Sequence, residues 1–538
     1  MTIASPNVSA PGPRSVRRRD PRAPRPARVH SGIAVLGAAA VGLFLVWSIG
    51  YVPANMDEFN QAHALACRYP NSHLNSRTAF LEGCDSYLLD FGFFSYHRSY
   101  RYVGITSSLL YFPLWSVWRS PLSYYLLGLL LLLAFSLAIV RALGLRWKYA
   151  LIPLCYFPIA YSFIHDTGPV RLSLLSFPVV VLLLKRLLDD SAVSHKLACA
   201  VTCATLMTLC VEDKPFYVYL LPTLALFAAA CLAQAKPGGG LVAAVTAPTN
   251  RLPLLALTVA FLAGVGLLLF AGRTEGQTYF EYLSTAAAKL PRARVAKRIV
   301  WFTLSFATFG HRVFEVFGTE PWARMASGAA TAVSAAWIAC VAWRGRAVRR
   351  VPLILFVLSY VTGVVVFLVT RTTYHGHHYV FLHLPALALL LLVARANAGR
   401  FALVLGSVVV LNLGSVALLA ATSIEPRSVP ERAEIFRYLS RPDVARSSII
   451  TFSGFGGYYQ QALYGDDSQV VTWSRDRGRR ARVAAAELRR LTRQTSRTII
   501  NVCMRCDAAS VRALHETENV VEIDLGLRQW KVFQVDPN

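Results

Sequence analysis

The sequence predicts an all-α, multi-pass membrane bundle of about eleven transmembrane helices, followed by a small α/β domain at the C-terminus. Three observations predict it. Of the 538 residues, 55% are hydrophobic and only 16% are charged, and long apolar runs need lipid to be soluble. The apolar runs recur between residues 32 and 422 with short joints between them. The basic residues keep to alternate joints, as the positive-inside rule requires.

The elements follow in order. Residues 1–31 are rich in Pro and Arg (RSVRRRDPRAPRPAR), too polar for a cleavable signal, and read as a disordered basic cytoplasmic tail. Apolar spans follow at roughly 32–50, 121–140, 147–164, 170–187, 195–211, 215–234, 252–272, 326–343, 351–370, 378–394 and 401–422. Joints after even-numbered spans carry Arg141, Arg146 and Lys148, then Lys185, Arg186 and Lys196, then Lys236 and Arg251. Arg344, Arg346, Arg349 and Arg350, and finally Arg395 and Arg400, continue the series. The short joints after odd-numbered spans hold only Arg171, Lys214 and Arg371, which places them outside and the N-terminus in the cytoplasm. The stretch 299–317 includes His311, Arg312 and Glu315; counted as a span it would turn Arg344–Arg350 outward, so it reads as an amphipathic or re-entrant piece of a long external loop, 273–325.

The other long external loop, 51–120, is aromatic (FGFFSYHRSYRYVGITSSLLYFPLWSVW) and suits helices lying in the interface. The membrane domain thus covers 32–424. In the extracytoplasmic tail, 425–538, SSIITFS, QVVTW, TIINVC, VVEIDL and KVFQV are strand-like and RVAAAELRRLTRQ is helical. GFGGYYQ lacks the spacing of a dinucleotide fingerprint. Cysteines within spans read as small core residues. Cys67 with Cys84 and Cys503 with Cys506 lie outside, where disulfides persist, and their bonding state is not set by the sequence.

A net charge of +26 invites a nucleic-acid reading. The cations, however, sit in joints where they orient helices and meet anionic lipid head groups, with no recognised nucleic-acid fold beside them. No nucleic-acid partner is expected.

Four polar clusters fall on the outer face. Asn55-Met-Asp57-Glu58 suits a helix cap, and a carboxylate held rigid at a membrane surface also serves as a general base toward a hydroxyl. His165 and Asp166 with Arg171 form the turn before the fourth span; Asp166 with Pro169 is an ordinary helix start, whereas His165 and Arg171 near lipid favour a cavity. Glu212-Asp213-Lys214-Pro215 breaks the chain between two spans, and three ionisable residues in so short a joint also favour a lined cavity. Arg371, His375, His378 and Tyr379 enter the tenth span and offer donors to a phosphate; the HGHH run leaves a divalent metal open, and no cofactor is implied. Arg98 and Arg101 add cations among the aromatics of the first loop. A substrate both lipid and phosphate would use all of these groups.

This constellation resembles the GT-C class of membrane glycosyltransferases, in the branch of the protein O-mannosyltransferases and aminoarabinose transferases. The motifs that carry the resemblance are NMDEFNQAHALA, YVGITSSLLYFPLW, HDTGPVR, EDKPFYVYLLP and HHYVFLHLPALALLLL, in that order over roughly 30–425. The resemblance implies an inverting transfer of a sugar from a polyprenyl-phosphate donor to an acceptor hydroxyl at the outer face of the plasma membrane. It implies Asp57 as catalytic base with Glu58 its neighbour and alternative. It places Lys214, Arg171 and His378-Tyr379 where donor phosphate or cavity is contacted, with Arg98 or Arg101 as the interfacial cation. Glu212-Asp213 before the Lys turn and the HGHH cluster depart from the family pattern, leaving donor sugar and metal open. A lipid-linked saccharide polymerase or ligase, and a flippase, are the competing readings; the flippase predicts internal repeats, of which there is no sign.

Overall fold

A computed structural model describes residues 88–98, 104–118, 121–165, 170–189, 192–235, 240–296, 349–370, 380–410 and much of 434–537, less short gaps. The spans proposed at 32–50 and 326–343 lie outside the described residues, as do residues 1–87 with Asp57 and Glu58.

The first described strands, β1 (Leu88–Asp90) and β2 (Ser95–His97), form an antiparallel hairpin where the sequence suggested interfacial helix. Alternation of Leu89 and Tyr96 toward one face suits a strand better than a helix. Helix α1 (Thr106–Val117) follows, and then the bundle helices begin: α2 (Pro121–Ala142), α3 (Leu151–Cys155), α4 (Phe157–His165), α5 (Arg171–Leu188), α6 (Val193–Asp213) and α7 (Tyr217–Ala235). A short α8 (Gly240–Thr246) leads into α9 (Pro248–Gly266), prolonged by a π-turn to Ala271. Strands β3 (Arg273–Thr274) and β4 (Gln277–Thr278), then α10 (Tyr279–Ala286), cap its end. The bundle closes with α11 (Arg350–Thr370), α12 (His383–Ala394) and the apolar helix α13 (Gly399–Val410).

Among the described residues five helices are long and apolar enough to cross a membrane: α2, α6, α7, α9 with its extension, and α11. The protein is an integral membrane protein. The span expected at 147–164 differs: a 3-10 turn (Trp147–Ala150) precedes α3 and α4, and the backbone is extended at Tyr156 (φ −81°, ψ 100°). Pro158 has no N–H to donate, and its ring clashes with a continuing helix. Between Tyr156 and α12 runs a buried polar pair, Tyr156 Oη to His383 Nδ1 at 2.9 Å.

Successive helices run up and down. Lys185 donates to the Ala142 carbonyl, and Lys196 donates to Asn250 Oδ1 at 2.7 Å, so the basic joints share one end. At the opposite end Phe216 stacks on Phe367 (5.4 Å between centroids) and meets Phe381 (6.5 Å). Phe177 links Phe227 and Phe381, each at 5.7 Å, which ties α5, α7 and the turn before α12 into one core. Among the free cysteines, Cys155, Cys203, Cys210 and Cys231 are buried in it.

In the tail, α14 (Pro442–Ser447) precedes β5 (Ile449–Ser453), and β6 (Val471–Trp473), β7 (Ile499–Met504), α15 (Ala508–His515), β8 (Val520–Ile523) and β9 (Trp530–Val535) follow. The strands fall on the five segments the sequence reads as strand-like. They form one mixed sheet in the order β6-β5-β7-β9-β8, parallel across β6-β5-β7 and antiparallel across β7-β9-β8. Cys503 is buried in it and disulfide-bonded. One face packs on α1 and the start of α2: Tyr111 and Trp115 of the first and Tyr124 and Leu127 of the second share a core with Tyr438, Leu439, Ile500, Trp530 and Val532.

Candidate functional site

The polar end of the bundle is built around the turn between α6 and α7. Helix α6 ends at Asp213, and Lys214 is extended (φ −149°, ψ 98°), held because its N–H still donates to the Cys210 carbonyl at 2.9 Å. Pro215 then prevents α6 from continuing, and α7 starts two residues on.

Glu212 and Asp213, read from the sequence as lining a cavity, reach across to the start of α1. Glu212 Oε1 accepts from the Ile105 N–H (2.9 Å) and from Tyr96 Oη (3.0 Å), and Oε2 accepts from the Thr106 N–H (3.1 Å) and hydroxyl (2.6 Å). Asp213 accepts from the Ser107 N–H (2.8 Å) and hydroxyl (2.7 Å). Helix α1 has no side-chain cap of its own at Ile105, so these carboxylates satisfy its orphan N–H groups and oppose its dipole. Gly104 makes the approach: its N–H donates to the Asp213 carbonyl at 3.0 Å, and a Cβ there would overlap the Glu212 carboxylate and carbonyl. The pairing joins residues more than a hundred positions apart, so no local motif announces it.

Arg98 continues the cluster from β2. Its Nη2 donates to Thr274 Oγ1 at 2.8 Å, and its guanidinium lies 4.9 Å from the Tyr279 ring and 5.0 Å from the Tyr282 ring. The side chain is 1% exposed, and cation–π contact offsets part of the cost of that burial. Burial, reinforced by the Glu212 charge, raises the Tyr96 hydroxyl far above its ordinary value. Burial likewise pushes Tyr279 up to about 12, against the opposing pull of Arg98. Both phenols therefore stay protonated, and Tyr96 donates to Glu212.

Arg171 opens α5 and turns back on α4. Its guanidinium donates to the carbonyls of Phe163, Ile164 (2.7 Å) and Tyr124 (3.3 Å), and lies 4.0 Å over the Tyr124 ring. It thereby fills the acceptors at the C-terminus of α4, where a cation is favoured. Gly128 on α2 makes room, since a Cβ there would lie 2.7 Å from Arg171 Nη2. The Ser107-bearing helix and Arg171 meet through Tyr111 and Tyr124, whose rings stand edge to face at 5.1 Å.

Of the candidate cations singled out by sequence, Arg98, Arg171 and Lys214 are described, and all three are buried at this one end with Glu212 and Asp213. The backbone of His165 ends α4 there too. Asp57, Glu58, Arg101, Asp166, Arg371, His375, His378 and Tyr379 lie outside the described residues, as does the His165 side chain. The described residues that bracket 371–379, Phe367 and Phe381, both pack on Phe216, two residues after Lys214. Tyr96, Thr106, Ser107 and Tyr279 join the cluster without a signal in the sequence. Among the described residues no three His, Cys, Asp or Glu side chains gather as metal ligands would.

With this arrangement in place the whole chain can be set against known structures. It superposes on a crystal structure of ArnT from Cupriavidus metallidurans in the apo state over 94% of this chain and 98% of that one, with a TM-score of 0.51 and 14% sequence identity. The chain has the fold of ArnT. A crystal structure of ArnT bound to undecaprenyl phosphate gives a TM-score of 0.49 at 12% identity, over the same shares of the two chains. No protein-family model and no curated protein sequence matches the chain. That fold agrees with the resemblance drawn from the order of the sequence motifs.

Proposed function

We propose that this protein is an inverting glycosyltransferase that moves a sugar from a polyprenyl-phosphate donor to an acceptor hydroxyl at the outer membrane face. The observation that carries the reading is the gathering of Arg98, Arg171 and Lys214 at one end of a bundle with the ArnT fold. Basic joints crowd the opposite end, which supports an outward-facing site by the positive-inside rule.

In this reading Asp57 removes the proton of the acceptor hydroxyl, with Glu58 its neighbour and alternative. The oxygen attacks the anomeric carbon from the face opposite the phosphate, through a transition state with oxocarbenium character. The C–O bond to phosphate breaks as the new glycosidic bond forms, and the electron pair leaves with the polyprenyl phosphate. Lys214, with Arg98 or Arg101 and donors from Arg371, His375, His378 and Tyr379, stabilises the charge growing there. His165 and Asp166 line the cavity. Arg171, whose donors serve α4, acts as a positioning residue.

The test is transfer of sugar in membranes from cells with and without Asp57→Asn, read by mass spectrometry of lipid-linked and envelope glycans. Transfer should be lost while the variant still inserts and binds donor lipid; full transfer would overturn the mechanism. Lys214→Ala should weaken donor binding more than acceptor binding, and unchanged donor affinity would remove its phosphate role.

A further inference from the structure

Helix α9 and its extension pack one side on the core through Leu257, Phe261 and Val265 and leave the other side exposed. Leu252, Leu255, Val259, Leu262, Leu267 and Phe270 make an exposed stripe, and the helix is the least buried of the five long ones. Its 24 residues span about 36 Å at 1.5 Å each, enough for a hydrocarbon core of about 30 Å. This stripe faces lipid.

Beyond its end the apolar surface does not stop. Phe270 meets Phe280 of α10 at 5.4 Å between centroids, and both rings are exposed. Gly272, the next turn, lies against Phe91 and Leu89 of the first hairpin, and Asp90 pairs with Arg273 across the β1–β3 register. The tip of that hairpin is Phe91-Gly92-Phe93-Phe94, closed by the Phe91 N–H on the Phe94 carbonyl at 2.9 Å. Phe91 and Phe94 stack at 4.7 Å, Phe93 packs on Phe94 at 4.8 Å, and Phe93 is 76% exposed.

We infer that the hairpin tip is an aromatic finger seated in the membrane interface, with Phe93 and Phe94 in the boundary between head groups and acyl chains. Four exposed aromatic rings, Phe270 in the last turn of a lipid-facing helix and Phe280, Phe93 and Phe94 past its end, stand where aromatic side chains collect in membrane proteins. The patch is continuous with the lipid-facing stripe, which favours a lipid surface over a protein partner. Exposed Asp90, Arg273 and Glu281 rim it at head-group level. The strand returning from the tip carries Tyr96, bonded to Glu212, and leads to Arg98, so the anchored finger fixes the height of that polar cluster relative to the lipid.

The experiment places the photoreactive analogue p-benzoylphenylalanine singly at positions 93 and 94, where its shape replaces a phenylalanine with little disturbance. The full chain is reconstituted into nanodiscs of phosphatidylethanolamine and phosphatidylglycerol, irradiated, and read by intact-mass spectrometry. Position 262, mid-stripe on α9, serves as the lipid-facing reference and position 521, an exposed valine on β8, as the other. Phospholipid adducts at 93 or 94 should reach at least a third of the yield at 262 and exceed that at 521 fivefold. Adducts no greater than at 521, or a covalent pair of chains in place of lipid adducts, would overturn the inference. The readout needs no enzymatic activity, so it stands or falls apart from the proposed reaction.

Discussion

Glu212 holds Thr106 by two hydrogen bonds, to its hydroxyl at 2.6 Å and to its N–H at 3.1 Å, and so supplies from another helix the cap that α1 lacks. Four donors converge on this carboxylate, counting Ile105 and Tyr96. A glutamine has one acceptor oxygen and would turn its NH2 toward donors. Glu212→Gln and Glu212→Ala are therefore both expected to destabilise the protein, by roughly 2–4 kcal/mol given about 1.5–3 kcal/mol for a hydrogen bond to a charged group. Thermal unfolding in detergent checks this; a glutamine variant as stable as the parent would show that the carboxylate charge is not what binds α1.

Gly128 is the second sensitive point. Gly128→Ala pushes a methyl group into Arg171 and the end of α4, and overpacking of this kind costs about 1–3 kcal/mol. Gly266→Ala is the control, because a Cβ there meets nothing within 4 Å and alanine favours helix. The two variants should part in unfolding temperature, with the first lower and the second equal to or above the parent.

The buried phenols set an alkaline limit. Tyr279 ionises in the folded protein at about 12, above its unfolded value of about 10, because burial disfavours the phenolate. A raised folded value means that the stabilisation is complete below pH 10 and is lost as pH rises toward 12. Unfolding measured from pH 9 to 12 should show a loss that is smaller in Tyr279→Phe; equal slopes in the two proteins would contradict it.

Topology is open to chemistry. Single cysteines placed as Asp57→Cys, Gly345→Cys and Arg480→Cys are expected to react with an impermeant maleimide from outside spheroplasts at 57 and 480 and not at 345. Labelling at 345 would invert the orientation drawn from the arginines.

The regular elements were legible because periodicity and hydropathy are local properties. Helices α2, α5, α6, α7 and α11 lie within a few residues of their expected positions, and the β-strands of the tail follow their alternating runs. The break at Tyr156 was harder to see, although Pro153 and Pro158 flank it. The hairpin β1–β2 is hidden because aromatic residues fall at both odd and even positions (Phe91, Phe93, Phe94, Tyr96), which masks the alternation of a strand. What the sequence concealed most fully was the role of Glu212 and Asp213. Their acidity was visible as an anomaly near lipid, yet its explanation lies in the N-terminus of a helix that precedes them by a hundred residues. Arg171 is similar: burial in a polar setting was anticipated, and its partners are backbone carbonyls, which leave no trace in side-chain identity.

Helix α1 is bound at its start by the two carboxylates beside Lys214 and along its flank by Tyr438, Leu439 and Trp530. It is therefore a rigid strut shared by two bodies, and neither can be removed cleanly. A chain cut ahead of residue 425 would leave Tyr111 and Trp115 bare to water, inviting aggregation. Conversely, whatever docks on the tail sheet and tilts it pulls on the same strut, and the turn at Lys214 feels the load.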